Sequence, residues 1–73
     1  MPLRPLSYRQ VKRKLEKAGF TIMSQRGSHI KFVRYNGDEV RTAIVPHHHE
    51  ISVGLLRSIL RQAGLTPSEF ERF

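Results

Sequence analysis

The chain has 73 residues, no cysteine, and 13 lysine and arginine residues against six aspartate and glutamate residues, for a formal net charge of +7. This length predicts one domain, residues 1–73, and the lack of cysteine excludes disulfides and thiolate metal sites. No apolar run reaches the roughly 18 residues of a membrane span, and no signal-peptide pattern opens the chain, so we expect a cytoplasmic protein. The charge favours RNA, DNA or an acidic protein as partner.

The first predicted helix follows a short extended lead, residues 1–5, and starts after Ser7. Ser7 and Gln10 have the spacing of a capping box, in which each side chain bonds the backbone N–H of the other residue. Apolar Val11 and Leu15 recur at helical spacing, and Gly19 suits the left-handed position that ends a helix. We expect this helix to turn its apolar stripe to the core.

Three strands are predicted from alternating apolar and polar residues. They cover about residues 20–25, 29–35 and 39–45. A three-residue loop, 36–38, between the last two opposes Phe32 to Thr42, whereas a two-residue turn, 36–37, opposes it to Arg41, so we adopt the longer loop. One sheet face then carries His29, Lys31, Val33 and Tyr35 of the second strand with Arg41, Ala43 and Val45 of the third.

A second helix, residues 53–63, is predicted after the capping residue Ser52, with a wide apolar face and Gly64 at its end. Thr66 and Glu69 form a further capping box, and we expect Phe70 to pack on the core. The order predicts an α+β fold in which both helices cover one face of a three-stranded antiparallel sheet.

The turn between the first two strands holds the candidate chemistry. Gly27 permits a positive φ or a close ligand, and Ser28 offers a hydroxyl and an N–H group. His29 follows, with Arg26 and Lys31 nearby, so the turn has the groups to hold a phosphate against a general acid or base. The simpler alternative is a hairpin corner whose histidine is merely exposed.

A run of three histidines, 47–49, follows the third strand. Consecutive residues point in different directions and lack the spacing of zinc ligands, so we expect no metal site. In the adopted register, His47 is a diagonal neighbour of His29, about 7–8 Å away between backbones. That spacing would let a phosphate lie between the two imidazoles.

Several stretches in this order resemble the HicA-type toxins, small ribonucleases of bacterial toxin-antitoxin pairs, over nearly the whole chain. They are Lys17-Ala18-Gly19-Phe20, Arg26-Gly27-Ser28-His29, Val45-Pro46-His47-His48, residues 54–60, and Ala63-Gly64-Leu65. The resemblance implies a double-stranded-RNA-binding-domain-like αβββα fold and metal-independent cleavage of messenger RNA without a cofactor. It also implies that His29 is catalytic and that a HicB-type antitoxin covers the active face. The chain departs from the family at Leu55, where relatives often have threonine.

A mechanism follows as a hypothesis in which His29 is the general base that activates a ribose 2′-hydroxyl. His47 is the candidate acid, from the register rather than from the resemblance. The groups expected to bind the RNA phosphate are Arg26, Gly27, Ser28, Lys31 and Arg41. The rival functions are a non-catalytic RNA-binding module of the same fold and a domain that only binds an acidic protein. DNA reading is disfavoured because neither helix is rich in polar residues suited to base edges.

Overall fold

The computed structural model describes residues 3–73, so Met1 and Pro2 of the predicted lead lie outside the described residues. The elements are α1 (Tyr8–Lys17), β1 (Thr21–Arg26), β2 (His29–Asn36), β3 (Glu39–Pro46), α2 (Val53–Ala63) and α3 (Pro67–Glu71). This is the predicted α+β arrangement, αβββα with a short third helix, and it is consistent with a double-stranded-RNA-binding-domain-like fold. Among residues 3–73, no helix is long and apolar enough to cross a membrane.

Local capping residues fix both ends of α1, as predicted. The Ser7 hydroxyl accepts from the Gln10 N–H at 3.2 Å, and the Gln10 side chain accepts from the Ser7 N–H at 2.9 Å. At the other end, Gly19 has a φ of 101°, and the Phe20 N–H donates to the Leu15 carbonyl at 2.9 Å. This bond is part of a Schellman ending, which satisfies carbonyls that the last turn leaves free.

The capping residues of α2 and α3 are also confirmed. The Ser52 hydroxyl accepts from the Leu55 N–H at 3.2 Å, and Gly64 ends α2 in the left-handed conformation. Thr66 and Glu69 form the second capping box, and hydrogen bonds from Thr66 hold the pKa of Glu69 below its ordinary value. The short α3 helix places Phe70 in the core, where it is 1% exposed.

The three strands form an antiparallel sheet in the order β1-β2-β3. Each hairpin has a two-residue loop that begins with glycine, Gly27-Ser28 in the first and Gly37-Asp38 in the second. The two glycines have φ values of 59° and 62°, whereas no non-glycine residue among those described has a positive φ. A positive φ at the first loop position alone is the pattern of a type II′ turn, whose twist matches that of the paired strands.

The predicted register between β2 and β3 is wrong by one residue. Asn36 pairs with Glu39, which leaves Gly37 and Asp38 as the loop, so neither of the two loops considered from the sequence occurs. The reason is the position of the glycine. Gly37 takes the first place of a type II′ turn, and Asn36 therefore stays in the ladder as the last paired residue of β2.

This shift exchanges the two faces of β3. Phe32 opposes Ala43, and both side chains are fully buried on the helix side of the sheet. Arg41 lies two residues before Ala43 and so points to that same side, where its guanidinium group is close to Gly64. The prediction that Arg41 shares a sheet face with His29 is therefore wrong. The opposite face, called the outer face below, carries His29, Lys31, Val33 and Tyr35 of β2 and Val40, Thr42, Ile44 and Pro46 of β3.

The edge strand β1 contains a bulge that decides which side chains reach the outer face. Ile22 lies opposite buried Phe32, but the register shifts by one residue between Ile22 and Ser24. Such a bulge reverses the alternation of the strand beyond it. Ser24 and Arg26 consequently lie on the outer face, opposite Lys31 and His29.

One hydrophobic core lies between the sheet and the helices. It joins buried residues of α1, α2 and α3 with the inner faces of β2 and β3, so both long helices cover the same side of the sheet, as predicted. Burial of each large apolar side chain contributes about 1.5–3 kcal/mol. The backbones of Leu6 and Ile51 exchange two hydrogen bonds, at 3.1 and 2.6 Å, and thereby tie together the segments that precede α1 and α2.

Candidate active site

The turn at Gly27 and Ser28 sets Arg26 and His29 directly opposite each other. The Gln25 side chain donates to the Gly27 carbonyl at 3.1 Å and so braces the turn. A Cβ atom at Gly27 would meet no atom within 4 Å, so the positive φ, and not lack of space, explains the glycine. Because facing residues of a sheet share a side, the arginine and the histidine both project from the outer face.

The His29 side chain is exposed to solvent. Within the described part of the chain, its imidazole has no hydrogen-bond partner. An exposed imidazole without a hydrogen-bond partner is able to take a proton from one oxygen and deliver one to another. The structure thus leaves His29 available for acid-base chemistry.

Two cations flank this imidazole on the outer face. Arg26 is its cross-strand partner, and Lys31 lies two residues further along β2, on the same side. Neither cation forms an ion pair with any residue that the structure describes. Their charge is therefore available to an anionic ligand.

The backbone of the turn adds two hydrogen-bond donors. Among residues 3–73, no acceptor receives the N–H of Gly27 or of Ser28. Two free amides beside two cations and an imidazole form a set of groups that suits a phosphate and the negative charge it gains in a transition state. The turn therefore brings together five of the predicted site residues, Arg26, Gly27, Ser28, His29 and Lys31.

The backbone of His47 lies next to the turn, but its ring lies against Tyr8. The residue opposite His29 in β3 is Pro46, so His47 lies only one residue beyond the opposite position, and not two as the predicted diagonal neighbour would. The His47 ring instead stacks on Tyr8 of α1, with ring centroids 4.2 Å apart and planes inclined by 36°. The structure does not bring the two imidazoles together around one phosphate.

Sequence reasoning missed a groove between α1 and the histidine run. The groove has a volume of about 580 Å³ and is lined by Ser7, Tyr8, Arg9, Lys12, His47, His48 and His49. Burial, and secondly the charge of Glu16, raise the pKa of Tyr8, so its phenol stays protonated and able to donate. The basic residues and the histidines are visible in the sequence. Their proximity is not, because it depends on a long-range hydrogen bond from the Tyr8 N–H to the His48 carbonyl at 3.3 Å.

The fold and the turn together define a class of protein, a small basic domain whose fold is like that of double-stranded-RNA-binding domains, with an exposed histidine on its open sheet face. The model of one protein family, the HicA toxin of bacterial toxin-antitoxin systems, matches residues 8–65. This match runs from α1 through α2 and includes the whole histidine turn. The chain belongs to the HicA toxin family, so its role is that of a toxin with an antitoxin as partner. No curated protein matches the chain.

Proposed function

We propose that this toxin is a metal-independent endoribonuclease that cleaves messenger RNA, with His29 as general acid and base. The observation that carries the proposal is the position of His29 on the outer face, directly opposite Arg26 and beside two free backbone amides. A phosphodiester bound to those amides would have its charged oxygens next to Arg26. The adjacent ribose would then be within reach of the imidazole.

The chemical step begins when His29 takes the proton of a ribose 2′-hydroxyl. The 2′-oxygen attacks the adjacent phosphorus, and the bond from phosphorus to the 5′-oxygen breaks. The leaving oxygen receives a proton from the imidazolium or from water. One product ends in a 2′,3′-cyclic phosphate and the other begins with a 5′-hydroxyl group. A positioned acid-base group contributes about 10²- to 10⁴-fold to the rate, which sets the loss expected when His29 is removed.

Positive charge supports this step because the phosphate gains negative charge in the transition state. Arg26 and Lys31 lie on the same face as His29. The N–H groups of Gly27 and Ser28 donate to no acceptor among the described residues and are available to the phosphate. Arg41 has no part in this step, because it lies on the helix side and its Nε atom is 3.5 Å from a Glu39 carboxylate oxygen.

A HicB-type antitoxin is the proposed inhibitor, and the outer face suits a protein partner. Tyr35 is 68% exposed, Val40 53% and Ile44 38%, which is unusual for large apolar side chains gathered on one face. The cations Arg26 and Lys31 lie toward the other end of the same face, where Ile44 is directly opposite Lys31. A partner that covers the apolar end and brings carboxylates to the cationic end would block access to His29.

The deciding experiment is inducible expression of the wild type, His29→Ala and Thr42→Ala in a bacterial host, with growth and messenger RNA integrity followed together. Thr42 is the control because it is also exposed on the outer face, outside the turn. We expect growth arrest and RNA loss with the wild type and Thr42→Ala, and neither with His29→Ala.

Purified protein tests the chemistry directly. Cleavage of a labelled RNA should persist in excess EDTA and should leave 2′,3′-cyclic phosphate ends. If His29→Ala binds RNA as the wild type does and neither protein cleaves it, the chain is a non-catalytic RNA-binding module. Cleavage that EDTA abolishes would contradict the metal-independent mechanism.

A further inference from the structure

The groove between α1 and the histidine run is a feature that the proposed chemistry leaves unused. One wall comes from the first turns of α1, with Tyr8, Arg9 and Lys12, and the other from the segment after β3, with His47–His49. Backbone and ring contacts between Tyr8 and the histidines hold the two walls together. The groove is therefore a built feature of the fold rather than a gap between loose side chains.

Its lining is cationic and aromatic. Arg9 is exposed and has no carboxylate partner among the described residues. Lys12 lies 3.4 Å from Glu16, but both side chains are substantially exposed, and such a pair on a helix surface is weak. The Tyr8 and His47 rings, in contact and inclined by 36°, add aromatic surface of the kind on which nucleic-acid bases stack. Cations next to an aromatic platform favour a single-stranded nucleic acid over an apolar ligand.

The groove is connected to the histidine turn by the backbone. The His47 N–H donates to the Ser28 carbonyl at 2.6 Å, and Ser28 precedes His29. The backbone of the histidine run is thus bonded directly to the turn that carries His29. The groove and the histidine turn are therefore neighbours at the same end of the sheet.

We propose that this groove binds the RNA strand adjacent to the cleaved phosphodiester. Arg9 and Lys12 contact its phosphates, and the Tyr8 and His47 rings stack on a base. The inference rests on the proposed ribonuclease function and adds to it a substrate requirement, namely several nucleotides on one side of the cleaved bond.

The test measures RNA affinity by fluorescence anisotropy in the His29→Ala protein, which holds RNA without cutting it. Two RNAs are compared, of about four and about sixteen nucleotides, the range of lengths that grooves for single strands cover. The groove variant is Arg9→Gln with Lys12→Gln. The matched control is Arg57→Gln with Arg61→Gln, which removes two exposed arginines of α2 that do not line the groove.

We expect the groove variant to bind the long RNA at least tenfold more weakly and the short RNA nearly as well as the parent. For the long RNA, the slope of the logarithm of the binding constant against the logarithm of the salt concentration should become shallower by about 1.4. Each of the two lost phosphate contacts contributes about 0.7 to that slope. A variant that keeps both charges, Arg9→Lys with Lys12→Arg, should restore most of the affinity. Tyr8→Ala should lower the affinity for the long RNA and leave the affinity for the short RNA unchanged.

Equal losses in the groove variant and in the control would overturn the inference, because net charge alone would then explain them. An equal loss for the two RNAs would overturn it as well. Failure of the proposed ribonuclease function gives a different result. The wild type would then leave both RNAs intact, while the groove variant would still lose affinity for the long RNA. Thermal unfolding of each variant confirms that all of them are folded.

Discussion

His47 stacks on Tyr8, with ring centroids 4.2 Å apart, and this contact holds its imidazole in the groove beside α1. An acid at the leaving oxygen contributes about 10²- to 10⁴-fold to the rate. We expect His47→Gln to keep the single-turnover cleavage rate at saturating RNA within about threefold of the wild type, well short of that range. A hundredfold loss measured under these conditions would instead make His47 the second catalytic residue.

The charges on the two faces of the sheet should have different effects on cleavage. Arg26 and Lys31 share the outer face with His29, whereas Arg41 lies on the helix side near Gly64. We expect Arg26→Gln and Lys31→Gln each to lower kcat/KM about tenfold, the lower end of what a hydrogen bond to a charged group contributes.

Arg41→Gln is the control, since it removes the same charge from the other side of the sheet. It should change kcat/KM by less than about threefold, because a distant surface charge acts only through screened electrostatics. Cleavage of one RNA under multiple-turnover conditions measures all three variants. Equal losses in all three would contradict the assignment of faces and favour a general effect of net charge.

Tyr35 should be a main contact of the antitoxin. Its side chain is 68% exposed on the outer face, so its replacement has little effect on folding. We expect Tyr35→Ser to weaken binding to a HicB-type antitoxin by about 30-fold or more, the loss typical of a buried aromatic anchor. Tyr35→Phe keeps the ring and should bind within a few-fold of the wild type. Calorimetric titration measures both, and equal affinity of Tyr35→Ser and the wild type would place the antitoxin on another surface.

The features that sequence predicts correctly here depend on neighbours along the chain. The capping boxes at Ser7 and Thr66 and the glycine that ends α1 all involve contacts within a few residues. The turn at Gly27 is equally local and is recognised from the sequence, whereas the pairing of Arg26 with His29 is seen only in the structure. For this reason the core of the candidate site could be predicted from the sequence.

The errors arise where distant segments meet. The choice between loops at Gly37 depends on whether the glycine comes first or second in the turn, and a change of one residue moves Arg41 to the other face. The bulge after Ile22 and the contact of Tyr8 with His47 leave no periodic signal, because each is set by packing against another element. The groove was missed for the same reason.

Gly27 and Gly54 offer a matched test of how far the turn depends on its backbone. A Cβ atom at either position would meet no atom within 4 Å, so space is not limiting at either glycine. Gly27 has a φ of 59°, whereas Gly54 lies in the first turn of α2. Alanine at Gly27 should cost about 1–2 kcal/mol, because an L-residue is strained at positive φ. Alanine at Gly54 should stabilise the protein by up to about 1 kcal/mol, since it restricts the unfolded chain and favours the helix.

Urea unfolding measures the two stabilities, and the slope of the transition should be the same in both variants. The rate of RNA cleavage distinguishes an effect on the site from an effect on overall stability. Gly27→Ala shifts the backbone that aligns Arg26 with His29 and should slow single-turnover cleavage at a temperature where the protein is fully folded. Gly54→Ala should leave that rate unchanged. If both variants cleave like the wild type, the positive φ at Gly27 serves folding alone.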